Sequence, residues 1–114
     1  MQTIRIYFEY GTKAEGLSRW QRVWNNRLAN RLMKMCKEAG LQQAIFFNVE
    51  VGYLNSQAIQ WGISEIIPPR KPQCLEITDT AASIDAFLKT TGQLLKNARI
   101  IAVEKQEIIE LSNL

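Results

Sequence analysis

The sequence predicts an α+β domain in the order βαββαβ, with a four-stranded sheet backed by two helices on one face. Three observations predict it. A strand–helix–strand pattern occurs twice, each copy passes from an alternating strand into an amphipathic helical stretch, and one long connection separates the copies. At 114 residues there is room for a single domain, 1–114, with one modest core.

In the first strand, Thr3–Tyr10, one face carries Ile4, Ile6, Phe8 and Tyr10, and the other Thr3, Arg5, Tyr7 and Glu9. The apolar set is expected to face the helices. Gly11 and Gly16 bracket a turn containing Thr12 and Lys13, and Ser18 is placed to cap a long helix from Arg19 to Ala39. Within it Trp20, Trp24, Leu28, Leu32 and Met35 recur at three- and four-residue intervals, a core stripe rather than a cofactor contact. Asn25, Asn26 and Asn30 are weak helix formers on its flank. Gly40 falls where a left-handed C-terminal cap is expected.

The second strand, Ala44–Val51, alternates Ile45, Phe47, Val49 and Val51 against Phe46, Asn48 and Glu50. After Gly52 the connection Tyr53–Pro72 is too long for a tight hairpin turn, and Ile59, Trp61, Ile63, Ile66 and Ile67 make it apolar for a loop. Pro68, Pro69 and Pro72 stiffen its end around Arg70 and Lys71. The third strand, Cys74–Thr78, turns Leu75 and Ile77 toward the core. Asp79 reads as a turn or cap residue, and Thr80 caps a second helix, Ala81–Lys96. Ile84, Phe87, Leu88, Thr91 and Leu95 share a face of that helix. Gly92 weakens it by about 1 kcal/mol relative to alanine, and the period continues beyond. The last strand, Arg99–Ile109, carries Ile101 and Val103 inward before Glu104, Lys105 and Glu107, and Leu111–Leu114 forms a frayed tail.

Two helical crossovers imply parallel pairing of the strands they join. The expected result is a ferredoxin-like domain. Its second sheet face is lined by Arg5, Tyr7 and Glu9, by Phe46, Asn48 and Glu50, and by Cys74, Glu76 and Thr78. Oligomerisation through that face, or along the sheet edges, follows naturally.

Composition narrows the chemistry. Apolar residues make up 46% of the chain, as in an ordinary globular domain. No apolar run is long enough for a membrane span, the N-terminus lacks a secretory pattern, and a cytoplasmic location is expected. There is no histidine, which removes the usual general base and the commonest zinc ligand. Cys36 and Cys74 are isolated from each other, and Cys36, beside Met35, reads as a buried thiol. No metal site and no cofactor are expected. Carboxylates such as Asp79 and Asp85 show no catalytic spacing, so the chain is not read as an enzyme.

Net charge is +3, unevenly spread: the first helix holds Arg19, Arg22, Arg27, Arg31, Lys34 and Lys37 against Glu38. This reads first as a solvated face and second as a phosphate-binding surface.

The second half carries a resemblance. Cys74 to Thr80, with Asp79-Thr80 closing the strand, is followed by Ile84 and Phe87-Leu88 on the helix and by Ile101–Ile109 with Glu104-Lys105 and Glu107. In the first half Ile4-Arg5-Ile6-Tyr7 opens the chain and Ala39-Gly40-Leu41 closes the helix. Together these resemble the PII-like group of bacterial proteins, domain of unknown function 190, over nearly the whole chain. There are departures. The family's Gly-aromatic-Gly triplet is Gly52-Tyr53-Leu54 here, loop histidines are missing, and Gly11 to Arg27 is differently composed.

The resemblance implies a homotrimer whose inter-subunit clefts bind a small anionic effector such as an adenine nucleotide, and whose loop 53–72 engages a regulated protein partner. Carried onto this sequence, Gly52, Tyr53 and Asn55 border the cleft at the loop base, with Arg70 and Lys71 at its return and Arg99 opening the last strand. Glycine permits close backbone approach to a phosphate, and arginine offers it a bidentate fork. The plainer reading is a strand-end turn at Gly52 and solvated charges at Arg70 and Lys71. Trp61 is either a partner anchor or a residue packed across a subunit boundary. The alternative function is nucleic-acid binding, through the basic first helix or by stacking on Tyr7 and Phe46.

Overall fold

In the computed structural model the elements follow one another as β1 (Gln2–Glu9), α1 (Leu28–Glu38), β2 (Gln43–Asn48), β3 (Pro72–Asp79), α2 (Ala81–Thr91) and β4 (Arg99–Val103). The structure describes residues 1–12, 27–61, 69–103 and 109. Ser18, Trp20, Trp24, Ile63 and the chain after Val103, apart from Ile109, lie outside the described residues, so the expectations placed on them have no counterpart here.

The strands form one sheet in the order β2-β3-β1-β4. Every neighbouring pair is antiparallel, which corrects the parallel pairing expected of strands joined by a helix. β1 and β2 do run the same way, but β3 lies between them, and β1 lies between β3 and β4. The reason is the connection between β2 and β3. It reverses the chain and returns β3 into the gap left by the first crossover, a split βαβ arrangement. The architecture is the ferredoxin-like α+β fold.

The core lies between the sheet and both helices. Ile4, Ile6 and Phe8 of β1, and Leu75 and Ile77 of β3, meet Leu28, Leu32 and Cys36 of α1 and Ile84 and Phe87 of α2, none more than 4% exposed. The alternation read for β1 and β3 holds. For β2 and β4 it is inverted. Phe46 lies opposite Leu75 and stacks on Phe8 with ring centroids 6.4 Å apart, so it faces the helices. Asn48 lies opposite Gln73 on that same side and accepts its side-chain hydrogen bond at 3.3 Å. Ile45 and Phe47 lie opposite Glu76 and Cys74 on the second face. In β4, Ile100 and Ala102 oppose Ile6 and Ile4, while Ile101 and Val103 oppose Arg5 and Thr3 and turn outward. Both edge strands are apolar on both faces. Their parity is set by register against β3 and β1, and a one-residue slip exchanges the faces.

Caps delimit the helices. Gly40 takes φ +71, its N–H donates to the Lys37 carbonyl at 3.1 Å, and Leu41 N–H donates to the Cys36 carbonyl at 3.2 Å, so α1 ends in a Schellman motif as expected. The Thr80 hydroxyl accepts from Ser83 N–H at 3.2 Å and caps α2. This helix stops at Thr91 rather than Lys96, because Gly92 disfavours its continuation. Tight turns follow, with Leu94 N–H donating to the Thr91 carbonyl at 2.9 Å, and they still deliver Leu95 to the core. β3 begins earlier than Cys74, at Pro72, a strand start where a missing N–H is tolerated. Asp79 ties three elements together. Its carboxylate accepts from Thr80 N–H at 2.6 Å and from Gln42 N–H at 2.7 Å, joining β3, the start of α2 and the turn before β2.

Candidate functional site

Beyond Glu9 the first strand stays beside the chain that returns into β3. Tyr10 N–H donates to the Lys71 carbonyl at 2.8 Å and Gly11 N–H to the Pro69 carbonyl at 2.7 Å. Glycine is required at position 11: a Cβ there would fall 2.9 Å from Pro69 Cβ and 3.1 Å from its carbonyl oxygen. This close approach fixes Arg70 and Lys71 alongside Glu9 and Tyr10. Arg70 Nε stands 3.5 Å from a Glu9 carboxylate oxygen. On the other side, the Arg27 guanidinium lies 4.0 Å over the Tyr10 ring and donates to the Tyr10 carbonyl at 3.3 Å. Arg99 opens β4 opposite Tyr7, at this same end of the sheet and on the Glu9 face.

The base of the long connection is a small hairpin. Gly52 and Gln60 exchange both backbone hydrogen bonds, at 3.2 and 2.8 Å. Asn55 and Ser56 have φ of 51 and 59, and Gln57 N–H donates to the Leu54 carbonyl at 3.0 Å, as in a type I′ turn. The hairpin base rests beside β3, since a Cβ on Gly52 would be 3.7 Å from Pro72 Cγ. Asn55 is thereby accounted for by turn geometry. Tyr53 and Trp61 are 58% and 56% exposed, with Val51 and Ile59 also exposed beside them.

Of the residues singled out from the sequence, register brings Arg70, Lys71 and Arg99 to one end of the sheet and sets the Gly52 hairpin next to Pro72. Glu9, Tyr10, Gly11 and Arg27 belong to the same end and were missed as site residues. Their signal was the β1 alternation, which already put Glu9 on the second face. The pairing of residues 10–11 with 69–71 has no local signature.

The second face is the other surface of note, and among the described residues no helix packs on it. Its centre holds an Arg5–Glu76 ion pair at 2.9 Å and a Thr3–Thr78 hydroxyl contact at 2.8 Å. The hydrogen bond and charge of Glu76 raise the Arg5 pKa further. A concavity of about 270 Å³ is lined there by Arg5, Tyr7, Phe47, Cys74 and Glu76. Burial raises the Cys74 pKa, and it pushes the Cys36 thiol in the core up to about 11, so both thiols stay protonated. Ile45, Phe47 and Ile101 leave large apolar surface around the ion pair, Phe47 being 45% exposed. A second groove, about 380 Å³, runs between the helices, lined by Met35, Leu41 and Phe87 among others. Among the described residues there is no group of three or more potential metal ligands, and no helix is long and apolar enough to cross a membrane.

Fold and site together define a ferredoxin-like α+β domain with a cation-rich sheet end beside a hairpin that exposes Tyr53, Ile59 and Trp61. The chain belongs to the family described as Uncharacterized ACR, the domain of unknown function 190, whose model matches residues 1–108. No curated protein matches it.

Proposed function

We propose that the protein is a PII-like regulatory module of the cytoplasm, not an enzyme. It assembles as a homotrimer and binds a small anionic effector, such as an adenine nucleotide, in clefts between subunits. One observation carries the reading: sheet register and chain packing bring Arg70, Lys71 and Arg99, with Arg27 held over Tyr10, to the sheet end from which the 53–72 connection departs and to which it returns. Guanidinium groups there suit a phosphate, and occupancy is passed to a partner protein through the hairpin that exposes Tyr53 and Trp61. The apolar second face, with Phe47, Ile45 and Ile101, supports burial against other copies.

Calorimetric titration with ATP, ADP and AMP tests the binding step. Arg70→Gln should weaken the affinity about tenfold or more, the scale of a hydrogen bond to a charged group. Absence of heat with every nucleotide at ~100 µM protein, a concentration suited to weak binding, removes the proposal.

Nucleic-acid binding along α1 is the second reading, supported by the exposed Lys34 and Lys37. The stacking version needs revision, because Phe46 faces the helices and Phe47 takes its place beside Tyr7. Glu9 and Glu76 share that face and oppose a polyanion. A low-salt gel shift without retention eliminates this reading.

A further inference from the structure

Glu9 is the last residue of β1, and alternation along the strand places it on the second face, at its margin. Arg70 flanks it through the 3.5 Å contact, and Arg99 flanks it from β4. Tyr7, two residues back on the same face, is paired with Arg99, so Glu9 and Arg99 are diagonal cross-strand neighbours, a spacing of about 7–8 Å that long side chains reach across. A carboxylate thus has Arg70 in contact with it and Arg99 beside it on β4, at the place where an anion is proposed to bind.

The quality of its contact is informative. Among the described residues there are three ion pairs, and the Arg5–Glu76 and Asp85–Lys89 pairs both close to 2.9 Å. Glu9–Arg70 is the longest, it engages one guanidinium nitrogen rather than the bidentate fork, and it is open to solvent on both sides. Such pairs add little to stability. A phosphate, with oxygens spaced to take the fork in parallel, is a better partner for Arg70 than this carboxylate.

We infer that Glu9 is an internal counter-anion for the sheet-end site: its carboxylate engages Arg70 in the free protein and must leave when an effector's phosphate takes that place. The inference rests on the anion-binding reading of this end. Binding is an exchange of one anion for another. Glu9 turns to solvent, the charge around Arg70 stays balanced in both states, and the effector binds more weakly than the bare cations would allow. If the pair is closed about 80–90% of the time, its removal strengthens binding about five- to tenfold.

The test uses inorganic pyrophosphate and ATP, titrated at one fixed ionic strength into the wild type, Glu9→Gln, Arg70→Gln and the double variant. Glu9→Gln is isosteric at a solvated strand end, and an unchanged circular dichroism spectrum verifies its fold. The expected result is pyrophosphate and ATP binding five to ten times tighter in Glu9→Gln, with the gain lost when Arg70 is also replaced. Arg70-dependent binding of equal strength in the wild type and Glu9→Gln overturns the counter-anion and leaves the effector site standing. A gain that persists undiminished without Arg70 also overturns it, since general repulsion then suffices. No binding by the wild type or Glu9→Gln overturns both.

Discussion

Asp79 shows how one side chain can fix a junction of elements. Its two accepted backbone hydrogen bonds, from Gln42 and Thr80 in that order of effect, hold its carboxyl below the ordinary value of 3.8. A carboxylate with a depressed native pKa contributes stability in full above its unfolded pKa and loses it as pH falls through the native one. The melting temperature should therefore fall on acidification below about pH 5, where unperturbed aspartate begins to protonate. Asp79→Asn should flatten that slope and lower the melting temperature at pH 7. Cys36 has the opposite direction with pH. Its thiol is raised from 9.0 to about 11 by burial, so its contribution is complete below pH 9 and lost as pH rises toward 11. The loss is at most about 3 kcal/mol. Urea melts of the wild type and Cys36→Ser across pH 8–11 check it: the difference in alkaline slope disappears if the thiol ionises normally in the native protein. Cys36 should also resist disulfide reagents at pH 8 until the chain unfolds.

Among elements, β1 and β3 were legible in their facing though not in their exact ends, while β2 and β4 were legible as strands but not in parity. Ile4, Ile6 and Phe8 alternate with polar residues, so only one orientation buries apolar surface. In β2 both faces are apolar, Ile45 and Phe47 on one and Ala44 and Phe46 on the other; hydrophobicity alone favours the first, and pairing of the second with Leu75 and Ile77 decides against it. Gly40 was legible because its signal is local, a glycine just past the last amphipathic turn. Gly40→Ala should cost about 1–2 kcal/mol, the penalty of a Cβ in left-handed backbone, read from the shift of the urea midpoint. Gly11 required the tertiary structure. Its contact partner, Pro69, is remote in sequence, and the space between them is shorter than a Cβ allows. Gly11→Ala should therefore push residues 69–71 away from β1, weakening effector binding at Arg70 more than it lowers stability. Equal loss of both would mean that the chain end there is only a structural seam.

On the scale of the molecule, Arg70, Lys71 and Arg99 were readable as cations near a loop, but Glu9 and Arg27 join them only through sheet register and chain packing. The second face offers the assembly its test. Phe47→Glu places a charge in apolar surface opposite Cys74 and should leave the proposed trimer dissociated in sedimentation velocity, with the subunit fold retained. Phe46→Glu, one residue away, should instead destabilise the subunit, because that partly buried ring packs against the core and stacks on Phe8. An intact assembly in the Phe47 variant would move the inter-subunit contact elsewhere.

The interleaved strand order has a consequence for synthesis. β1 and β2 never touch: each needs β3 as its neighbour, and β4 in turn needs β1. A nascent chain that has released only its first sixty or so residues holds two strands with no ladder between them. Neither half is an autonomous hairpin or bundle. Ribosome-bound intermediates of this length should remain protease-sensitive until Pro72–Asp79 clears the exit tunnel, and separately expressed halves should gain structure only on mixing, each completing the other's sheet.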